Sequence, residues 1–396
     1  MNTIGAQKIV VLGAMSTMPV AGIVYLTMQY VLGFQRLGFD AYYVEAHART
    51  PSIFMRRRDD DSSALAAAFI AGVMERFDMG QRWCFQALHD DGRCYGMSEQ
   101  ALKRLYRDAA LIVNLHGNTQ PLPEHTATGR LVYMGTDPVQ VEIQLFHNRP
   151  RTIAFLEPHC AFFTWGENYG NADCLVPVSE RFDFKPTRQP LLLDLWQHNS
   201  DNHRTPASAA AFTTIGNWRQ AWRTLKFRGE TYTWSKHHEF LKFIDLPSRA
   251  QQAFELALST CTEVDRRMLE AHGWRVRNAL HISMELDDYR SYIQSSRGEF
   301  TVAKDQNVRL RSGWFSDRSA CYLATGRPVI TQETGFSNIL PTGTGLFAFS
   351  TMHDILQALD AINSCYPRHS RAAYEIARDY FSYDIVLPQM LAEVGL

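Results

Sequence analysis

The sequence has no excess of charge of either sign and no paired cysteines. Its 396 residues include 40 Lys and Arg against 41 Asp and Glu, a formal net charge of −1 at pH 7. This balance excludes a protein that holds nucleic acid through an overall basic surface, although a local basic face remains compatible with it. The seven cysteines are scattered and form no CxxC pair. A disulfide framework or a zinc ribbon is therefore not expected, and a reducing, cytoplasmic location fits best.

The sequence also has no long uninterrupted apolar run. Residues 9–34 come nearest, but Ser16, Thr17, Pro19 and Gln29 interrupt them and no small-residue cleavage site follows. A membrane span and a signal peptide are therefore not predicted. The run is better explained by a buried strand, a turn and a helix, with Ser16 or Thr17 as the helix cap.

The remaining pattern alternates between strands and helices. A chain of this length exceeds one hydrophobic core, so two domains are expected. The alternation of short β-branched runs with helical periodicity predicts an α/β fold with doubly wound parallel sheets. In the first half, the predicted strands are Lys8–Gly13, Ala41–Ala46, Ala110–Leu115 and Arg130–Met134, and helices are predicted over 62–78 and 98–107.

A break in this pattern separates two predicted domains. Residues 183–210 contain three prolines and the polar run HNSDNHRTPAS, which is typical of a linker. A second alternating series follows it. The sequence thus predicts two Rossmann-like domains that face a central cleft, with the first over 1–185 and the second over 205–379.

The strongest functional cluster lies in the second domain, over residues 311–349. Ser316 is a suitable helix cap, and the backbone N–H groups of Asp317, Arg318 and Ser319 would follow it at the helix N-terminus. Such a terminus is a natural phosphate site. Gly313 would permit close approach of the backbone, and the Arg318 guanidinium would add a charge-assisted contact to a diphosphate. This cluster predicts binding of a sugar diphosphate.

Further donor contacts are predicted where neighbouring strands end. Glu333, Thr334 and Gly335 follow a predicted strand, and the carboxylate would bind ribose or sugar hydroxyls. The other predicted donor contacts are Gly216, Asn217, Arg297 and Lys304. The three cations among the donor contacts would neutralise a diphosphate leaving group, so no metal and no permanent cofactor are expected.

The same stretch resembles the donor-binding half of GT-B glycosyltransferases. The resemblance rests on GxPVIxxExG from Gly326 to Gly335 and on the ending HDILQALDAI and RAAYEIARDYF. The segments FTWGENYG, SRGEFTVAKD and SGWFSDRSACYLATGRPV are similar to a branch of that superfamily whose acceptors are not defined. The resemblance implies the GT-B fold, in which a C-terminal helix, about 380–396, crosses back to the first domain. Retaining relatives carry two glutamates where this chain has Gly313 and Cys321, so a retaining mechanism is not carried over.

The first domain supplies the expected acceptor side. In a GT-B enzyme, the loop of Met15, Ser16, Thr17 and Met18 would line the acceptor side of the cleft, and it is not the GxGxxG of a dinucleotide site.

Inverting transfer also needs a base to accept the proton of the attacking hydroxyl. Three candidates follow predicted strands. Asp137 ranks first, His116 has an ordinary pKa near neutrality in its favour, and Glu45 is the third.

The sequence leaves the substrates open. The donor would be a UDP- or TDP-hexose, and the acceptor would be a small molecule or a hydroxymethylated base in duplex DNA. Arg56–Arg58, with Arg104 and Arg107, would serve DNA phosphates, but Asp59–Asp61 follow at once and favour a solvated loop. A nucleotide-sugar 2-epimerase of the same fold and a non-catalytic nucleotide-binding protein also fit the sequence.

Overall fold

The computed structural model describes residues 6–46, 51–197, 210–220 and 223–396. Two parallel sheets dominate them. The first sheet has eight strands in the order β4-β3-β2-β1-β5-β6-β7-β8, and only β3 and β4 pair antiparallel. Its strands are β1 Lys8–Leu12, β2 Asp40–Glu45, β3 Trp83–Gln86, β4 Cys94–Tyr95, β5 Ala109–Leu115, β6 Leu131–Gly135, β7 Ala161–Thr164 and β8 Phe184–Pro186.

The second half contains a hairpin and a parallel six-stranded sheet. The antiparallel hairpin is formed by β10 Thr224–Phe227 and β11 Glu230–Thr233. The sheet has the order β13-β12-β9-β14-β15-β16. Its strands are β9 Phe212–Asn217, β12 Phe254–Ser259, β13 Arg275–Asn278, β14 Gly298–Thr301, β15 Val329–Gln332 and β16 Leu346–Phe349. This is the doubly wound arrangement that the alternation predicts.

Helices connect the strands and cover both sheets. Those of the first half are α1 Ala21–Arg36, α2 Ser62–Arg76, α3 Glu99–Asp108, α4 Pro123–Thr126, α5 Gln140–Phe146 and α6 Pro150–Leu156. Those of the second half are α7 His237–Leu241, α8 Leu246–Arg249, α9 Glu263–Ala271, α10 Leu280–Ser283, α11 Leu286–Ser295, α12 Asp305–Arg309, α13 Asp317–Ala324, α14 Met352–Ser364, α15 Tyr366–Ile376 and α16 Tyr383–Ala392.

The last helix lies against the first half of the chain. Helix α16 packs on α1 so closely that a Cβ on Gly33 would lie 2.6 Å from Leu387 Cδ1. Lys185, in β8, also pairs with Glu393 just beyond α16. A larger residue at Gly33 would therefore displace the Leu387 side chain where these two helices cross, and α16 joins the second half of the chain to the first.

One predicted cap is wrong, and several strands have no counterpart among the predicted ones. Helix α1 begins at Ala21, because Ser16 lies in a separate 3₁₀ turn over Met15–Thr17 and its side chain bonds elsewhere. Strands β3, β4, β7 and β8 are absent from the strands predicted for the first half, and the hairpin β10–β11 was not predicted either. Its turn residues Arg228 and Gly229 both have positive φ, 49° and 81°. This is the conformation of a tight two-residue hairpin turn, for which Arg-Gly is a weak signal.

Buried histidines predict that the fold loses stability in acid. Burial lowers the pKa of His125 and of His159 to about 4. In the unfolded chain a histidine side chain has a pKa of about 6.5. Below that pH the unfolded state therefore takes up protons that the folded state does not, and stability falls as the pH drops from ~6.5 towards 4. We expect the midpoint of thermal unfolding to fall over this range. His125→Asn should reduce the slope, whereas the exposed His281→Asn should not; equal slopes for all three proteins would contradict the assignment.

Candidate functional site

A cavity of about 920 Å³ lies between the carboxyl ends of the two sheets. Loops after β1, β5 and β6 form one wall, and loops after β9, β12, β13 and β14 form the other. Open α/β sheets bind their ligands at this edge, and the volume is in the range of small-molecule sites. The cavity is therefore the candidate site.

His116 lies in the first-half wall, directly after β5. Its backbone has a φ of 63°, and its Nδ1 lies 2.7 Å from Thr136 Oγ1. Burial lowers its pKa to about 4, so the imidazole is neutral near pH 7. Its Nε2 is buried without a hydrogen-bond partner in the described part of the chain. The ordinary pKa assumed from the sequence is therefore wrong, and the ring is instead a neutral hydrogen-bonding group.

Asp137 lies beside it, after β6. Its Oδ2 accepts a 2.5 Å hydrogen bond from Lys304 Nζ, which follows β14 on the opposite wall. Its Oδ1 is buried and has no hydrogen-bond partner among the described residues. The following turn is held by Glu142, which accepts the N–H of Val139 at 2.7 Å although Val139 has a φ of 91°. The structure thus brings the predicted base and a predicted cation together across the cleft.

The second-half wall contains two lysines in aromatic surroundings. Lys304 Nζ lies 4.3 Å from the ring centroid of Trp234, and burial lowers its pKa despite the neighbouring Asp137. Lys236 Nζ lies 5.5 Å from the ring of Trp314. Burial first, and then the charges of Arg318 and Lys304, lower the pKa of Lys236 to about 7. Within the described residues Lys236 has no hydrogen-bond or ion-pair acceptor, so its donors remain available to an anion.

The predicted helix N-terminus does face the cavity. Ser316 is the N-cap of α13, and Ser316, Asp317, Gly216 and Asn217 all line the cavity. The side chain of Ser316 makes no capping hydrogen bond. Burial raises the pKa of Asp317, whose carboxyl group lies at the mouth of the helix. The N-terminus therefore offers hydroxyl and carboxyl groups as well as backbone N–H groups.

Arg318 lines the cavity, but its guanidinium is already engaged. Nε donates to Glu299 Oε1 at 2.6 Å, Nη2 donates to Thr301 Oγ1 at 3.1 Å, and Nη1 donates to the carbonyl of Ile215. Glu299 is fully buried in β14 and requires a counter-ion. Arg318 thus holds the carboxyl end of β9 in place. Three of its five guanidinium N–H groups are committed within the domain, which leaves one on each terminal nitrogen.

Two further donor contacts predicted from the sequence lie outside the cavity. Arg297 precedes β14 at the opposite edge of the sheet, where it bonds to Asn363 Oδ1 at 2.7 Å. Ser319 is buried in α13 and does not line the cavity. The structure therefore does not place either residue against a ligand in the cleft.

Gly313 and the turn of Glu333, Thr334 and Gly335 also lie elsewhere. A Cβ on Gly313 would overlap the backbone nitrogen of Asn168, and one on Gly335 would lie 2.6 Å from the side-chain nitrogen of Asn168. Thr334 Oγ1 donates to the carbonyl of Trp314. The close approach that Gly313 permits is therefore to the first half of the chain, and this turn joins the two halves instead of lining the cavity.

Glu45 is not placed to act as a base. It is fully buried at the end of β2, where its carboxylate accepts hydrogen bonds from the Ser16 N–H at 2.8 Å and from Tyr43 Oη at 2.5 Å. It thereby holds the 3₁₀ turn after β1.

The predicted acceptor-side loop lines the cavity at one residue. Met15 is buried within the 3₁₀ turn, and of the loop Met15, Ser16, Thr17 and Met18 only Met18, 52% exposed, lines the cavity.

The described ranges contain neither a cluster of metal ligands nor a membrane span. No group of three or more His, Cys, Asp or Glu side chains there is arranged to hold a metal ion. None of the helices described above is long and apolar enough to cross a membrane.

Comparison with known proteins places this geometry in a known fold. No protein-family model and no curated protein matches the sequence. Solved structures do match over almost the whole chain. HepE of Anabaena in complex with UDP and glucose has 12% identity and a TM-score of 0.52, covering 98% of this chain and 99% of that one. AviGT4, a glycosyltransferase involved in avilamycin A biosynthesis, has 9% identity and a TM-score of 0.54 over 98% and 99%.

A third solved structure also matches over almost the whole chain. It is an α-glucosyltransferase in complex with UDP and a 13-mer DNA containing an HMU base, with 10% identity and a TM-score of 0.58 over 99% of this chain and 100% of that one. At these identities the likeness is one of fold. The chain has the two-domain GT-B fold of these glycosyltransferases, and the predicted fold class is confirmed.

Proposed function

We propose that this protein is a glycosyltransferase that moves a hexose from a nucleoside-diphosphate sugar, UDP- or TDP-linked, to an acceptor hydroxyl. One observation carries the proposal. Among the described residues, the cavity between the sheets has the unpaired Lys236 on one wall and the carboxylate of Asp137, which is held by Lys304, on the other. Transfer from a sugar diphosphate needs these two groups, a cation for the leaving group and a proton acceptor for the nucleophile.

The middle of the cavity suits the diphosphate. Lys236 and Lys304 lie there with the N-terminus of α13, and both lysines carry a lowered pKa that a bound polyanion would restore. Two ammonium groups neutralise the charge that develops on the departing diphosphate. Transfer therefore proceeds without an obligatory metal ion in this proposal.

The end of the cavity beside β13 suits the nucleobase. Ala279, Leu280 and Ser283 line it from the second half, and Met18 and Ile53 line it from the first. Leu280, Met18 and Ile53 are 47%, 52% and 61% exposed, so they offer apolar surface that the face of a base would cover. With the base at this end and the diphosphate in the middle, the transferred sugar reaches Asp137 and His116.

Transfer by direct displacement follows from this order. The acceptor hydroxyl attacks the anomeric carbon from the side of Asp137, which takes its proton, while the diphosphate leaves towards the lysines. The neutral His116 lines the cavity, as Asp137 does. Because Gly313 and Cys321 replace the glutamate pair of retaining relatives, inversion is the outcome that we propose.

Thermal unfolding with and without nucleotides tests the donor site. We expect UDP or TDP, and their hexose conjugates, to raise the unfolding midpoint, because a ligand that binds only the folded state stabilises it. EDTA should not remove the shift. If no nucleoside diphosphate or nucleotide-sugar changes the midpoint, the proposal fails.

Turnover distinguishes sugar transfer from epimerisation and from binding alone. Incubation with UDP-N-acetylglucosamine alone, followed by NMR, should leave the sugar configuration unchanged. An epimerised sugar would establish a 2-epimerase instead. Stabilisation by nucleotide-sugars without any turnover across an acceptor panel would indicate a binding protein.

A further inference from the structure

A cluster of exposed cations borders the cavity on the side of Asp137. Arg149 and Arg151 lie at the start of α6, and Lys226 and Arg228 lie in the hairpin β10–β11. All four are exposed, and Arg151 also lines the cavity. We refer to these four residues as the cationic rim.

The cationic rim is one continuous surface built from both halves of the chain. His147 Nε2 lies 3.2 Å from the carbonyl oxygen of Lys226, and the rings of Phe146 and Phe227 lie 5.1 Å apart. The segment before α6 and the hairpin are therefore in direct contact. The hairpin, which the alternating fold does not require, brings two of the four cations beside the segment that leads into α6, and Arg151 of α6 lines the cavity.

The charge of the cationic rim is not neutralised locally. Glu230, the nearest acidic residue in the hairpin, is paired with Arg309 at 2.9 Å, and Arg309 also lies 3.5 Å from Asp305. No member of the cationic rim has an ion-pair partner within the ranges that the structure describes. A chain with a net charge of −1 thus concentrates four exposed cations that have no ion pair among the described residues, and such a field attracts a polyanion.

The cavity next to the cationic rim offers aromatic surfaces. Tyr133, Phe155 and Trp234 line it at this end, and the guanidinium of Arg223 lies 4.2 Å from the ring centroid of Trp234. Cations that contact phosphates outside a pocket, with aromatic rings inside it, are the combination that enzymes use to hold a nucleic acid and admit one extruded base.

We propose that the cationic rim binds the phosphate backbone of duplex DNA and presents an extruded hydroxymethylated base to Asp137. The choice of acceptor rests on the proposed function, since this choice places the accepting hydroxyl on that base. Binding of DNA through the cationic rim does not depend on the proposed function. The other basic segment, Arg56–Arg58, is a weaker candidate, because Asp60 binds two of its backbone N–H groups and Asp59–Asp61 offset its charge.

Fluorescence anisotropy with a labelled 13-base-pair duplex, with and without one 5-hydroxymethylpyrimidine, tests the proposal. Four phosphate contacts predict a slope of about −3.6 in log affinity against log salt, or a loss of about 10²-fold between about 50 and 200 mM. Lys226→Ala with Arg228→Ala should reduce the slope by about 2. Arg368→Ala with Arg371→Ala removes the same charge from the exposed face of α15, which does not line the cavity, and should change nothing.

Two results would overturn the proposal. One is no binding of either duplex at about 100 μM protein and low salt, where even non-specific binding is detectable. The other is an unchanged slope in the hairpin variant. A parallel thermal-shift measurement with UDP separates the two proposals. DNA binding with no change of the unfolding midpoint by UDP contradicts only the proposed transfer. A change of the midpoint by UDP with no DNA binding contradicts only the role of the cationic rim.

Discussion

Asp137→Asn is expected to lower kcat by about 10²–10⁴-fold, the usual contribution of a positioned general base. The amide keeps the size of the side chain and a hydrogen-bond acceptor for Lys304, but it does not take up the proton of the attacking hydroxyl. Donor affinity should be retained or slightly increased, because the change removes a negative charge close to the diphosphate. The effect should therefore fall on kcat and not on the dissociation constant of UDP.

A comparison of kcat with donor affinity tests this assignment. Loss of the 2.5 Å ion pair could also displace Lys304; in that case UDP binding would weaken together with turnover. Asp360→Asn, on the exposed face of α14, makes the same charge change away from the cavity and should leave both quantities unaltered. A kcat for Asp137→Asn within about twofold of the wild-type value would exclude Asp137 as the base, since a lost general base costs far more.

The positions that the sequence predicted well are those that topology alone determines. Asp137 and His116 each follow a buried strand and Gly216 lies at the end of another, and the carboxyl ends of parallel strands must meet at one edge of a sheet. Their presence in the cavity thus follows from the alternating pattern. The direction of a long side chain does not follow from it. Arg318 stands at the predicted place, yet its guanidinium turns to Glu299 inside the domain.

The sequence does contain a signal that the Arg318 guanidinium turns towards Glu299. Glu299 interrupts a strand that is otherwise suited to full burial, and a buried carboxylate requires a nearby cation. Gly313 and Gly335 are similar cases, because their positive φ was predictable but their partner, Asn168, comes from the other half of the chain. A glycine can indicate close approach, but local sequence does not show whether a ligand or another loop approaches.

Lys236 was absent from the predicted donor contacts for a related reason. The hairpin β10–β11 separates it from β9, so it does not directly follow a strand of the sheet. Its place in the cavity depends on the way in which the hairpin folds back across Trp234 and towards α5. Residues 236–239 are polar enough in sequence to suggest sugar contacts, but sequence periodicity does not show how an insertion packs. The position of Lys236 beside the N-terminus of α13 therefore emerges only from the three-dimensional structure.

Lys236→Met is expected to weaken UDP binding by about 10- to 100-fold. A hydrogen bond to a charged group contributes about 1.5–3 kcal/mol, and about 1.4 kcal/mol corresponds to a factor of ten. Methionine keeps the apolar stem that packs near Trp314 and removes only the charged head. The fold should persist, because the ammonium group has no ion-pair partner in the described residues to be left behind.

The pH dependence distinguishes this role from a structural one. Burial, with the charges of Arg318 and Lys304, lowers the pKa of Lys236 to about 7 in the free protein. A bound diphosphate favours the charged lysine and raises that pKa, so binding takes up a proton where the free lysine is neutral. Wild-type affinity for UDP should therefore be greatest below about pH 7 and should decline as the pH rises towards the pKa of the complex.

Isothermal titration calorimetry between about pH 7 and 9, where the diphosphate is fully ionised, measures this coupling directly. In buffers of different ionisation enthalpy, the wild-type protein should show proton uptake on binding UDP, and Lys236→Met should show much less. Lys103→Met removes an exposed ammonium group on α3 and serves as the control. If the variant binds UDP with wild-type affinity and with the same proton uptake, the diphosphate does not contact Lys236, and the cation that neutralises the leaving group must be another residue of the cleft.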